Sequence, residues 1–151
     1  NLNIPPLKYE LVYKLKEYFK NDEIIINGGI KTTEDIKNHL LKVDGVMIGR
    51  AVYHSPYFLA DIERKIFNND NVPTRSEVME KLIPYIQEET SKGTQLNHIM
   101  RHTVGLFHGQ NGSKTWKQYL SKNMCIRDAD LQKVNHIIDQ VKKTNPVSLE
   151  R

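Results

Sequence analysis

Two short strand-like segments in series end in glycine, and the second glycine is followed by arginine. They are Ile24-Ile25-Ile26-Asn27-Gly28-Gly29-Ile30 and Asp44-Gly45-Val46-Met47-Ile48-Gly49-Arg50. A phosphate group needs several donors converging from one side with little bulk between them. Glycine lets the backbone approach closely and take positive φ. The first N–H groups of a helical turn add a favourable dipole, and arginine adds a charge-assisted, two-pronged contact. Gly28, Gly29 and Gly49 meet the first requirement, Arg50 meets the last, and Asn27 at a strand tip can hydrogen-bond a phosphate oxygen or a polyol hydroxyl. Each piece alone has an ordinary reading, a tight turn or a solvated arginine. Together they favour a phosphate site of the kind that the last two strands and a short extra helix build in barrel enzymes. A dinucleotide-binding turn would need three glycines after one strand, and that pattern is absent.

A second group of residues lies far along the chain. From Lys92 to Arg127 there is no Asp or Glu, yet the stretch holds Lys92, Arg101, Lys114, Lys117, Lys122 and Arg127, with His98, His102 and His108 among them. Residues 1–67, by contrast, carry 10 basic and 9 acidic residues within a net charge of +4 for the whole chain. Such an imbalance reads as a surface facing a polyanion. On a helix over about 95–107, the spacing puts His98, Arg101 and His102 on one face. Lys114 and Lys117 stand one turn apart around Trp116, so both face outward while Trp116 anchors the core. The histidines read equally well as core or capping residues; with no carboxylate or cysteine beside them they are not a metal site. Cys125 is the only cysteine, which excludes an intrachain disulfide and suits a reducing, cytoplasmic setting. Its neighbours Met124 and Ile126 mark it as packing rather than a nucleophile.

The elements that would position these residues follow from periodicity. Leu11, Val12, Leu15 and Phe19 predict a helix across Leu7 to Phe19. Ile24–Ile26 and Val46–Ile48 read as parallel strands covered on both faces. Between them Thr32-Thr33-Glu34-Asp35 supplies an N-cap and early acids for a helix with Ile36, Leu40 and Leu41 inward. Ala51–His54 forms a helical turn, and Pro56 opens a helix to about Phe67. Residues 68–74 are a linker. Beyond it the pattern predicts helices over about 75–92, 95–107, 113–124 and 128–143, with Thr74 or Ser76 capping the first and Lys92-Gly93 closing it. The fold class is therefore α/β followed by all-α, with residues 1–67 and 75–151 as separate units. Apolar content of 38% and mean hydropathy of -0.57 suit wide solvated faces or a piece of something larger. No apolar run is long enough to cross a membrane. The opening Asn1 and the loop-like Ile4-Pro5-Pro6-Leu7 suggest a chain that starts inside a longer protein.

At this point the residues resemble a known family. Asn27-Gly28-Gly29-Ile30, Asp44 through Ala51, and Arg101-His102-Thr103-Val104-Gly105-Leu106-Phe107-His108-Gly109 resemble the C-terminal portion of a tRNA-dihydrouridine synthase. Ile4-Pro5-Pro6-Leu7 and Gly112 through Ser121 are similar to its DusA-type branch. The likeness covers essentially the whole chain in order, and the tail motifs are more specific than the glycines, which many flavin barrels share. It implies the C-terminal part of a (β/α)8 TIM barrel that binds FMN, followed by a helical bundle domain that binds tRNA. It also implies NADPH as reductant and, as product, 5,6-dihydrouridine in the tRNA D-loop, at uridines 20 and 20a for this branch.

By this resemblance Asn27, Gly28, Gly29, Gly49 and Arg50 hold the FMN phosphate and ribityl end, and Arg101, Lys114 and Lys117 contact tRNA, with His102 added by its place beside Arg101 on the expected helix face. The family's catalytic cysteine belongs to the first barrel half, which nothing here matches. Cys125 does not inherit its role, this segment holds no catalytic residue, and alone it is expected to be inactive. Two other readings stay open: a flavin barrel acting on a small molecule, and a non-catalytic RNA-binding fragment.

Overall fold

The computed structural model of the chain describes residues 6–123 together with His136 and Asp139. Helix α1 (Tyr9–Tyr18) leads into strand β1 (Ile25–Asn27), helix α2 (Thr33–Leu40) and strand β2 (Gly45–Met47). The short helix α3 (Arg50–His54) and helix α4 (Phe58–Ile66) follow. Then come α5 (Arg75–Ser91), α6 (Leu96–Met100), a 3-10 turn (Arg101–Thr103) and α7 (Ser113–Asn123). The two strands pair in parallel, with Ile25, Ile26 and Asn27 opposite Gly45, Val46 and Met47. Both strand tips therefore finish at the same end. The helix expected over 128–143, and Cys125, lie outside the described residues apart from His136 and Asp139.

Local signals set the helix starts. Thr32 Oγ1 accepts from the Asp35 N–H while Asp35 Oδ2 accepts from the Lys31 and Thr32 N–H groups, all at 3.0 Å. Thr74 and Glu77 form the same reciprocal cap on α5, so Thr74 rather than Ser76 begins that helix. Such caps satisfy donors that no helical carbonyl can reach.

Two apolar clusters form. One gathers Ile26, Ile30, Ile36, Val43 and Ile62; the other gathers Tyr57, Ala60, Met79, Ile86, Met100, Phe107, Trp116 and their neighbours. The segment carrying α4 thus belongs to both: Ile62 packs toward the strands, Tyr57 and Ala60 toward the helices. Tyr57 also donates to the Pro73 carbonyl at 2.9 Å, and the Arg75 guanidinium lies 3.8 Å from its ring centre.

Three expectations are corrected. The strands are not covered on both faces: Ile26 is 1% exposed but Ile25 56%, because no described element lies over the Ile25 side. On α2, Ile36 and His39 point inward whereas Leu40 is exposed and Leu41 is 83% exposed. His39 takes the inner place because its Nδ1 lies 2.8 Å from the Tyr13 hydroxyl and its ring meets the Tyr9 ring edge-on at 4.6 Å. Finally, the helix expected over 95–107 ends at Met100. The Trp116 indole N–H donates to the Thr103 carbonyl at 3.0 Å, and Leu106 N bonds the same carbonyl at 3.0 Å. The chain thereafter advances through three-residue turns, His108 to Gly105 and Gln110 to Phe107, instead of an α-helical ladder.

Candidate functional site

The two glycine-marked strand ends meet at one open cleft of about 590 Å³, and its lining includes Asn27, Gly28, Gly29, Gly49 and Arg50. All five residues singled out from the sequence are thus brought together. Parallel pairing puts Asn27 beside Met47, so the chain leaves both strands on the same side. Gly28 and Gly29 take φ of 110° and 69°, values that L side chains disfavour. The turn is pinned from behind, where the Tyr9 hydroxyl donates to the Gly28 carbonyl at 2.6 Å and Leu7 packs against both glycines.

On the other side Gly49 is the N-cap of α3, with no side-chain cap on that helix. The first N–H groups of a helix have no partner inside it, so those of α3 are available to a ligand. A Cβ on Gly49 would meet no protein atom within 4 Å, which leaves room for a group to approach. Arg50 is exposed, and among the described residues it pairs with no carboxylate.

Lys31 and His54 also line the cleft, and sequence reasoning missed both. His54 stands four residues after Arg50, hence on the same face of α3, a spacing that was visible in the sequence. Lys31 is set by the Asp35 cap described above, and that same backbone hydrogen bond from Lys31 is the main cause holding the Asp35 carboxyl below its usual range. Three basic side chains and no acidic one therefore surround a glycine-walled space. This donor set suits a phosphate monoester. Among the described residues no group of three or more His, Cys, Asp or Glu is arranged to hold a metal ion, and no helix is long and apolar enough to cross a membrane.

The candidate nucleic-acid residues lie on the helical side. Arg101 and His102 are exposed in the 3-10 turn, where the Arg101 Nε–H donates to His102 Nε2 at 3.2 Å. With α6 ending at Met100, helical spacing no longer defines the face they share with His98. Lys114 and Lys117 are both exposed on α7. Trp116 between them is fully buried, its ring edge-on to Phe107 at 5.2 Å. Its bond to Thr103 ties α7 to the turn that carries Arg101 and His102. Tyr53, unforeseen from the sequence, links the two regions: its ring stands 5.9 Å from both the His54 and the His102 rings.

The family described as dihydrouridine synthase (Dus) matches residues 1–143. A tRNA-dihydrouridine(20/20a) synthase of Haemophilus ducreyi is 45% identical over 139 residues, covering 91% of this chain and 43% of that protein. The protein of the same description from Synechocystis is 46% identical over 130 residues, 85% of this chain and 39% of its own length. That of Escherichia coli K12 is 44% identical over 142 residues, 93% and 41%. The chain spans about two-fifths of the length of the curated relatives it matches.

Proposed function

The chain belongs to the dihydrouridine synthase family, and from that premise we propose that it forms the C-terminal portion of an FMN-dependent, NADPH-consuming tRNA-dihydrouridine synthase acting on D-loop uridines 20 and 20a. The observation that carries this reading is the convergence of Asn27, Gly28, Gly29, Gly49 and Arg50 on one cleft with Lys31 and His54. In this assignment Arg50 and Lys31 bind the FMN phosphate, the N–H groups at the start of α3 complete its shell, and Asn27 faces the ribityl hydroxyls. FMN, when bound, supplies the hydride that reduces the uridine C5–C6 bond. The residues here bind and orient; the proton donor belongs to the barrel half that this chain does not contain. The open Ile25 face of the sheet supports packing against those further strands.

RNA is held, in the same proposal, by Arg101, His102, Lys114 and Lys117. Contacts of this kind fix the position of the tRNA without reading its sequence. The target uridine must leave its stack to reach the flavin, so a rigid grip on the surrounding backbone is what the helical part contributes.

The test is Arg50→Ala in the full-length protein. Loss of a charged hydrogen-bonding partner costs about 1.5–3 kcal/mol, which weakens FMN binding by roughly 10- to 150-fold. Unchanged FMN affinity in a flavin-fluorescence titration refutes the assignment of this cleft.

A further inference from the structure

Gly105 stands closer to the backbone of α3 than a side chain would permit. A Cβ placed on it would overlap the His54 carbonyl oxygen and lie 2.8 Å from its carbon and 3.3 Å from Pro56 Cδ. Gly105 is not among the residues with positive φ, so the backbone conformation does not demand glycine there. The demand is one of space, and the obstructing atoms are main chain rather than a side chain that could turn away. Three residues earlier, the His102 ring meets the Tyr53 ring edge-on at 5.9 Å. Residues 102–105 thus touch α3 at two consecutive positions, Tyr53 and His54.

Helix α3 has five residues, no side-chain cap and no fully buried residue. A helix this short has little stability of its own, and its place is set by what it rests against. It also carries Arg50 and His54 of the cleft. We propose that Gly105, with His102, is a positioning residue that seats α3 and so fixes where Arg50 and His54 stand relative to Gly28 and Gly29. The proposal rests on reading the cleft as the site of the FMN phosphate. Its consequence is that the segment assigned to RNA contact also sets the cofactor-binding geometry.

The experiment measures FMN dissociation constants of full-length variants by flavin fluorescence, alongside their thermal midpoints. Gly105→Ala forces α3 to shift, and a displacement of about 1 Å is enough to weaken FMN binding by roughly ten-fold or more. Tyr53→Ala removes the ring contact and weakens it by roughly three-fold. Leu120→Ala cuts into the helical cluster outside the 102–105 segment that meets α3; it lowers the midpoint and leaves FMN affinity unchanged. Wild-type affinity in Gly105→Ala overturns the proposal. So does an equal loss in Leu120→Ala, because the effect would then be general destabilisation. Should Gly105→Ala not yield soluble protein, Tyr53→Ala decides, with unchanged affinity overturning the seating of α3. Arg50→Ala separates the two levels: if it leaves FMN binding intact the cleft assignment itself fails, and if it weakens binding while Gly105→Ala does not, only the seating role fails.

Discussion

Replacing Gly29 with alanine tests whether the strand-end turn is held from behind in the manner described. At φ of 69° an L residue costs about 1–2 kcal/mol relative to glycine. The new Cβ would also lie 2.7 Å from Leu7 Cδ1 and 2.7 Å from the Tyr9 hydroxyl. Tyr9 cannot retreat without giving up its 2.6 Å bond to the Gly28 carbonyl, whereas Leu7 is exposed and can swing away. Overpacking of this kind costs about 1–3 kcal/mol. With Leu7 yielding, the lower part of the combined range applies, a loss of about 2–3 kcal/mol. Urea unfolding of the full-length protein, followed by circular dichroism, reads this directly. A double-mutant cycle with Leu7→Ala should recover at most about 0.5 kcal/mol, the part due to Leu7, and leave the Tyr9 overlap and the conformational part. Gly49→Ala is the contrast, since φ there is −100° and no atom lies within 4 Å of the added carbon. It should change stability by less than about 1 kcal/mol while narrowing the cleft and weakening FMN binding. A loss below about 1 kcal/mol in Gly29→Ala, or a larger loss in Gly49→Ala than in Gly29→Ala, would refute the reasoning.

Charge reversal at Lys114→Glu with Lys117→Glu should weaken tRNA binding and lower the slope of affinity against salt concentration by about one per lysine; equal slopes in filter-binding titrations would remove these residues from the interface. Trp116→Ala should destabilise the helical cluster by about 3–5 kcal/mol, more than Trp116→Phe, which keeps the ring contact with Phe107 and loses only the indole hydrogen bond, since the Leu106 N–H still pairs the Thr103 carbonyl. If instead tRNA affinity falls with no change in stability, Trp116 is a stacking platform and not a core anchor. Asp35 gives a pH signature. Its pKa is lowered in the folded chain, chiefly by the hydrogen bond from the Lys31 N–H, so its contribution is present above the unfolded carboxyl pKa and is lost as pH falls through the folded one. Asp35→Asn should therefore cost about 1 kcal/mol at neutral pH, and the gap from wild type should close in acid; a gap that persists undiminished at low pH contradicts the cap as described.

Much of the local structure was legible because it is decided within a few residues. The cap at Thr32 depends on Asp35 three positions on, and glycine followed by Arg50 marks a strand end and a helical turn without reference to distant chain. The helix expected over 95–107 failed for the complementary reason. At its end the Thr103 hydroxyl takes the Met100 carbonyl at 2.7 Å and the Thr103 carbonyl accepts from an indole thirteen residues away, and no periodicity within the segment reports such competition. Leu40 and Leu41 were misplaced similarly: their spacing from Ile36 is helical, but the Tyr13 contact with His39 turns His39 inward and leaves both leucines exposed.

By itself the sequence determined the parts of the candidate site: the two glycine strand ends, Arg50, the acid-free stretch holding Arg101, His102, Lys114 and Lys117, and the buried role of Trp116. Residue type and near-neighbour spacing are enough for these. That Lys31 and His54 complete the cleft, that Tyr9 pins the first turn, and that Gly105 must lack a side chain emerge only in the folded chain. Each of these depends on which distant segments come to rest against each other. Steric exclusion between such segments leaves no periodic trace in the chain; Gly105 has an unremarkable backbone conformation, and its need for glycine exists only once His54 lies beside it.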